Sequence, residues 1–287
     1  MRRTHAPRQF SFIDLDGTRI HYDLHRAEGS ASHAPTLVGV HGFGGNLHTW
    51  NDILPLLAPR CNFLRLDLRG FGYSDKPDDW RYDVAEHGRI VARLVERLEL
   101  GRVVPLGHSF GAAVAVVAAC ALADTGRLLG VVVMDGAGFP LRFPFQLLVY
   151  RIPVARWIAS LTSPEWRIEF TLRRLYHTWT AITPERIQRY SHFLDLPGSE
   201  QAFTRVARAI DVNDSSMIVD ALARLTVPAL VIWGENDRII PPSHAAHFAT
   251  HLVRGTVRLI PLCGHAPQEE HPRQTATEIL SFLGGLE

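Results

Sequence analysis

The sequence predicts an α/β fold: a mostly parallel sheet, helices on both of its faces, and a helical insertion. Three observations predict it. Short β-branched runs alternate with runs of helical spacing, up to about residue 137 and again from about 211. The strand-like runs are apolar at nearly every position, as parallel strands covered on both faces are. Between about 138 and 210 the alternation stops and only helical patterns remain.

Taken in order, residues 10–15 and 19–24 flank Asp16-Gly17, a hairpin-type turn. Residues 36–40 form a short strand ending at His41-Gly42, and 47–57 read as a helix. Residues 63–66 form a strand that ends at Asp67. Ile90, Val91, Leu94, Val95 and Leu98 recur at helical spacing over 84–98, and Gly101 is the expected stop. A strand over 103–106, an Ala/Val-rich helix over 110–123 and a strand over 128–134 follow.

The insertion reads as helices over 145–161, 164–178, 184–196 and 200–210, with Pro144, Pro164 and Pro184 at helix starts. Then come a helix (217–225), a strand (229–233), a helix (243–252), a strand (257–260) and a helix (274–283). The expected organisation is one core domain from 1–137 and 211–287, with 138–210 as a helical cap or lid. An insertion at the C-terminal end of a strand lies over the place where open sheets bind ligands.

With 287 residues the chain can bury a sizeable core. Hydrophobic residues at 46% and charged residues at 21% are ordinary for a soluble globular protein. A net charge of +1 gives no reason to expect nucleic acid or an acidic membrane as a partner. Asp14, Asp16 and Arg19 interrupt any signal-peptide core behind the basic N-terminus, and no apolar run reaches the ~18 residues of a membrane helix. The expectation is a cytoplasmic protein without stable membrane insertion, monomeric or homodimeric. Cys61, Cys120 and Cys263 are odd in number and widely spaced, which predicts free thiols rather than disulfides or a zinc site.

A serine hydroxyl is a weak nucleophile at neutral pH. It needs a general base, a group to orient that base, and donors aimed at the developing oxyanion. Gly107-His108-Ser109-Phe110-Gly111 lies between a strand and a helix, the setting of a nucleophile elbow. The sharp turn leaves no room for side chains two positions either side of Ser109. The turn also puts Ser109 at a helix N-terminus, which favours negative charge. His265, in the last strand-to-helix loop, can reach the same sheet edge and is the expected base. Asp237, past the strand over 229–233, is the expected orienting acid, with Glu235 and Asp135 as competitors. The loop His41-Gly42-Phe43-Gly44-Gly45-Asn46 follows the strand over 36–40 and permits close backbone approach.

The order Ser109, Asp237, His265, preceded by a His-Gly loop, resembles the α/β-hydrolase fold family. Asp67-Leu68-Arg69-Gly70-Phe71-Gly72-Tyr73-Ser74-Asp75, Trp233-Gly234-Glu235-Asn236-Asp237 and Gly264-His265-Ala266-Pro267 are similar to its segments at those places. The match runs from about Phe10 to Leu283, the insertion excepted. The resemblance implies an eight-stranded, mostly parallel sheet and a helical lid. It also implies oxyanion donors in the Phe43 and Phe110 backbone amides. Members that open epoxides or remove halogens use an aspartate where this chain has Ser109. Members that cleave carbon–carbon bonds typically carry Asn and Trp where this chain has His108 and Ala266. The closest general likeness is to bacterial carboxylesterases and lipase-like esterases.

The expected function is therefore a serine esterase acting on small to medium apolar carboxylic esters, with no cofactor and no metal. Thioesters, amides, a carbon–carbon bond, or ligand binding on an idle triad are the alternatives. His244, His247 and His251 share a helix face but lack a carboxylate in register for a metal. No Gly-x-Gly-x-x-Gly or phosphate loop is present. The insertion's arginines (151, 156, 167, 173, 174, 186 and 189) read as a solvated outer face. Phe139, Phe143, Phe145, Leu147, Leu148 and Trp157 read as the insertion's own core.

Overall fold

The computed structural model describes residues 11–27 and 34–286; Phe10 and the basic N-terminus lie outside them. Eight strands form one sheet: β1 (Ser11–Leu15), β2 (Thr18–His25), β3 (Thr36–Val40), β4 (Asn62–Leu66), β5 (Val103–His108), β6 (Val131–Met134), β7 (Ala229–Gly234) and β8 (Gly255–Ile260). Their order across the sheet is β1-β2-β4-β3-β5-β6-β7-β8. β2 pairs antiparallel with both neighbours, and every pairing from β4 to β8 is parallel. The β1–β2 hairpin turns at Asp16 (φ 57) and Gly17 (φ 79), two left-handed positions as a tight hairpin requires.

The helices are α1 (Leu54–Leu57), α2 (Val84–Arg97), α3 (Phe110–Leu122), α4 (Phe145–Arg151), α5 (Pro153–Ser160), α6 (Pro164–Leu175), α7 (Pro184–Leu194), α8 (Ser199–Ala209), α9 (Ser216–Arg224), α10 (Ser243–His251), α11 (Pro267–Glu270) and α12 (Pro272–Gly284). The continuously apolar strands feed two cores in alternation. Val38, Val40, Val131, Val133 and Val231 face one layer, with α2, α3, α9 and α10. Leu37, Val104, Leu106, Val132, Leu230 and Ile232 face the other, with α1 and α12. Side chains alternate across a strand, so two covered faces require an unbroken apolar run. α3 lies in the middle of this packing and buries ten of its 13 residues.

Three expected elements differ. Residues 47–57 are not one helix but a 3-10 turn (Leu47–Trp50) capped by the Asn46 side chain, followed by the single-turn α1. Pro55 has no N–H to continue a helix from above, which breaks the run. Residues 145–161 divide into α4 and α5 at Ile152, whose extended backbone (φ −100, ψ 112) is what a following proline, Pro153, imposes. α2 is closed not by Gly101 but by Glu99, which takes the left-handed conformation (φ 50) while the Leu100 amide donates to the Val95 carbonyl.

Candidate active site

Four strand ends converge on one edge of the sheet. β5 ends in the elbow, where Ser109 has φ 56 and ψ −123, a conformation that costs a non-glycine residue energy. The surroundings enforce it. The Ser109 amide donates to the Met134 carbonyl, and the Ser109 carbonyl accepts from Ala112 and Ala137. A Cβ on Gly107 would strike the Gly111 carbonyl, and one on Gly111 would strike the Val40 and His41 carbonyls. The glycines of the pentapeptide are thus dictated by contact between strand, helix and the neighbouring loop.

β7 delivers Asp237 and β8 delivers His265. His265 Nε2 lies 2.9 Å from Ser109 Oγ, and His265 Nδ1 lies 2.7 Å from Asp237 Oδ2. Asp237 Oδ1 accepts the amides of Ile239 (2.7 Å) and Ile240 (3.1 Å), which aims its other oxygen at the ring. Asp237 and His265 are buried, while the Ser109 hydroxyl faces a cavity.

Asp135 is also buried, one strand away. Its Oδ1 accepts the Gly234 amide at 2.9 Å, so it braces β7 rather than His265. Burial first, and the Asp237 charge second, push its carboxyl well above the usual carboxylate range. Glu235, the other competitor, is exposed, and the carboxylate on His265 Nδ1 is that of Asp237.

The loop after β3 is shaped for close approach. Gly45 donates back to the Gly42 carbonyl at 3.0 Å, and Gly44 is left-handed (φ 72). His41 ties this loop to the chain after β4: its Nε2 accepts the Leu68 amide at 3.0 Å. Phe43 and Phe110 both line the cavity, and Phe110 is the first residue of α3, where an amide has no partner within the helix. His108 lies on the other side of the elbow. It is buried and its Nε2–H donates to the His265 carbonyl at 2.6 Å. Burial, then the nearby His265 ring, lower its pKa to about 3, so this histidine is neutral.

The cavity has a volume of about 390 Å³. It is lined by Phe43, Phe110 and Ile218 and, from the helices between β6 and β7, by Leu147, Tyr150, Ile168, Leu172 and Phe203. Most of the lining is apolar, which suits an apolar ligand group. Thr49, Tyr190 and Glu269 form a polar margin.

Two carboxylates beside His265 have no counterpart in the sequence reading. Glu269 is buried and accepts hydrogen bonds from Tyr176 (2.7 Å), Tyr190 (2.8 Å) and Arg189 (3.2 Å). Glu270 accepts the Gly264 and His177 amides, at 2.9 and 2.7 Å, and the Thr178 amide at 3.2 Å. The His265 amide itself donates to the Leu175 carbonyl at 2.7 Å. The insertion is therefore bonded directly to the His265 loop. Two glutamates directly after Gly-His-Ala-Pro-Gln were the available signal, but nothing local tells which partners they meet.

The arginine expectation is corrected at four positions: Arg156 turns inward to Glu200 and Thr204, Arg167 lines the cavity, and Arg186 and Arg189 turn to the core. Arg186 and Arg189 do not face solvent: both pair with half-buried Asp52 on the core, at 2.5 and 3.0 Å, beside buried Glu269. The aromatic expectation divides. Phe139 and Leu147 are buried but line the cavity, Phe139 as part of the main core, whereas Phe145, Leu148 and Trp157 are exposed. His244, His247 and His251 surround the Phe139 ring at 6.5, 5.4 and 5.3 Å.

A parallel sheet covered on both faces, with a strained serine at its central elbow and an acid–histidine pair on the next strands, defines the α/β-hydrolase class. The chain belongs to the alpha/beta hydrolase family, whose model matches residues 37–278. Among curated proteins it is 26% identical over 276 residues to the uncharacterized hydrolase YugF of Bacillus subtilis, covering 94% of this chain and 96% of that one. A thermophilic esterase from Thermogutta terrifontis superposes with a TM-score of 0.75 at 25% identity, covering 97% and 99% of the two chains. The meta-cleavage product hydrolase CumD from Pseudomonas fluorescens superposes with a TM-score of 0.80 at 20% identity, covering 96% and 98%, a likeness of fold.

Proposed function

We propose that this hydrolase is a serine carboxylesterase for small to medium apolar esters. The carrying observation is the continuous array of Asp237, His265 and Ser109, at 2.7 and 2.9 Å, opening into a mainly apolar cavity. Asp237 holds His265 with Nδ1 protonated, which leaves Nε2 free to accept the Ser109 proton. Ser109 Oγ then attacks the ester carbonyl, and the Phe43 and Phe110 amides stabilise the oxyanion. His265 returns the proton to the departing alcohol. Water, deprotonated by His265, releases the acid from Ser109 in the second half of the cycle.

Residues 138–210 act as the cap in this reading, since their helices supply one wall of the cavity. No cofactor enters the scheme. No helix among the described residues is long and apolar enough to cross a membrane. Free, buried Cys61 and Cys263 suit a reducing compartment such as the cytoplasm. The substitutions His108 for Asn and Ala266 for Trp favour ester over carbon–carbon cleavage.

The test is turnover of a p-nitrophenyl ester panel, from acetate to decanoate, by wild type and Ser109→Ala. The expected result is hydrolysis of the shorter members and a loss of about 10⁴-fold or more in kcat for the variant. Undiminished activity in Ser109→Ala would refute the mechanism. Turnover confined to thioesters, amides or vinylogous diketones would refute the substrate class.

A further inference from the structure

The insertion's short helix α5 faces the wrong way for a protein core. Val154, Trp157, Ile158 and Leu161 recur at the spacing of one apolar helix face, yet each is 55–68% exposed. α5 buries no residue at all. Its polar side is what holds it down: Arg156 Nε pairs with Glu200 at 2.8 Å, and Arg156 Nη1 donates to Thr204 Oγ1 at 3.1 Å, both on α8. Polar anchors within and apolar residues without invert the usual arrangement of a surface helix.

The apolar surface continues onto the neighbouring helices. Trp166 stacks on Phe170 at 5.3 Å, and Phe170 meets Phe145 at 6.0 Å; all three are exposed. The opposite sides of α4 and α6, through Leu147 and Ile168, wall the cavity. The surface is thus the back of the wall that encloses the candidate site.

Charge identifies the occupant. Residues 138–175 contain six arginines and two glutamates, a local excess of +4 in a chain whose net charge is +1. Exposed Arg142, Arg151 and Arg174 have no carboxylate partner among the described residues. Arg151 and Arg174 instead lie over the Phe143 and Phe145 rings, at 4.5 and 5.1 Å. Tryptophan and branched aliphatics ringed by unpaired arginines are what an interfacial helix presents to lipid. A two-fold dimer through this face would bring the same cationic rim against itself. An anionic lipid surface complements both the apolar stripe and the rim.

We infer that the α4–α6 surface docks this protein peripherally on anionic phospholipid bilayers, with α5 lying in the interface. The whole-chain charge gives no hint of this, because acidic residues elsewhere cancel the local excess.

Vesicle flotation tests it, using phosphatidylglycerol–phosphatidylcholine and pure phosphatidylcholine vesicles. Wild type is expected to float with the anionic vesicles and to be released at about 0.5 M salt. Trp157→Asp with Ile158→Asp, and separately Arg151→Glu with Arg174→Glu, are each expected to lower the bound fraction about five-fold or more. Both variants are expected to keep wild-type turnover of a water-soluble p-nitrophenyl ester, since none of the four side chains faces the cavity. Wild type that stays in solution, or an Asp variant that floats as well as wild type, would overturn the proposal. So would a dimer in sedimentation that the Asp variant dissolves while no vesicle binding occurs. The readout is binding rather than turnover, so it stands or falls separately from the esterase reading.

Discussion

The Glu270 carboxylate accepts the His177 amide at 2.7 Å with one oxygen and the Gly264 amide at 2.9 Å with the other. One side chain thereby joins the insertion to the residue before His265. A Cβ on Gly264 would strike the Leu175 carbonyl, so the two segments are also in van der Waals contact. Movement of the insertion at this point carries the His265 loop with it.

Glu270→Gln is expected to weaken this joint, because the amide nitrogen would face backbone N–H groups. Buried donors left unpaired cost about 1–3 kcal/mol. The expected result is a lower thermal midpoint and a kcat reduced about ten-fold by misplacement of His265. Unchanged kcat with a lowered midpoint would confine Glu270 to stability.

Asp237→Asn and Asp135→Asn are expected to differ sharply. Asp237 contacts His265 Nδ1, so its amide should impose the wrong tautomer and lower kcat about 10³–10⁴-fold. Asparagine at 135 keeps an oxygen for the Gly234 amide and tolerates the left-handed backbone there (φ 44). Its kcat should stay within about three-fold of wild type, since asparagine preserves the bond that Asp135 Oδ1 makes to the Gly234 amide. A collapse of the acylation rate in Asp135→Asn alone would reverse the assignment.

Acid stability should depend on His87. Among the described residues neither of its buried ring nitrogens has a hydrogen-bond partner, and burial lowers its pKa from 6.5 to about 3. The folded state therefore refuses a proton that the unfolded chain accepts. The contribution is fully present above pH 6.5 and is lost as pH falls, at roughly 1.4 kcal/mol per unit, until about pH 3. His87→Leu should remove it. The stability difference between variant and wild type should shift in the variant's favour by about 2 kcal/mol between pH 6.5 and pH 5, read from urea midpoints. A difference independent of pH would contradict the neutral, buried state.

Glycine substitutions should grade by contact. Gly111→Ala puts a methyl group against two backbone carbonyls that cannot yield, and should cost about 3 kcal/mol or more. Gly126→Ala meets nothing within 4 Å and suffers only its left-handed backbone (φ 69), about 1 kcal/mol. Equal midpoints for the two in urea unfolding would show that the elbow relaxes.

Much of this is legible in residue order because its causes are local. An unbroken apolar strand, the glycines around Ser109 and the prolines at helix starts each act within a few residues. The same locality explains where elements depart from the hydrophobic periodicity. Pro55 and Pro153 interrupt patterns whose hydrophobic spacing alone reads as continuous helix, and Glu99 rather than Gly101 takes the left-handed turn.

Residue order therefore specified the strand–helix alternation, the elbow at Ser109 and the histidine loop that faces it. Packing decided the rest. Asp135 and Asp237 stand at adjacent strand ends, and only the meeting of separate loops determines which carboxylate touches His265. Glu269 and Glu270 acquire partners from the insertion through contacts that no local pattern encodes. The apolar stripe of α5 is visible at helical spacing, but its outward direction follows from Arg156 anchoring to Glu200. Periodicity shows that a helix has an apolar face; long-range contacts set where that face points.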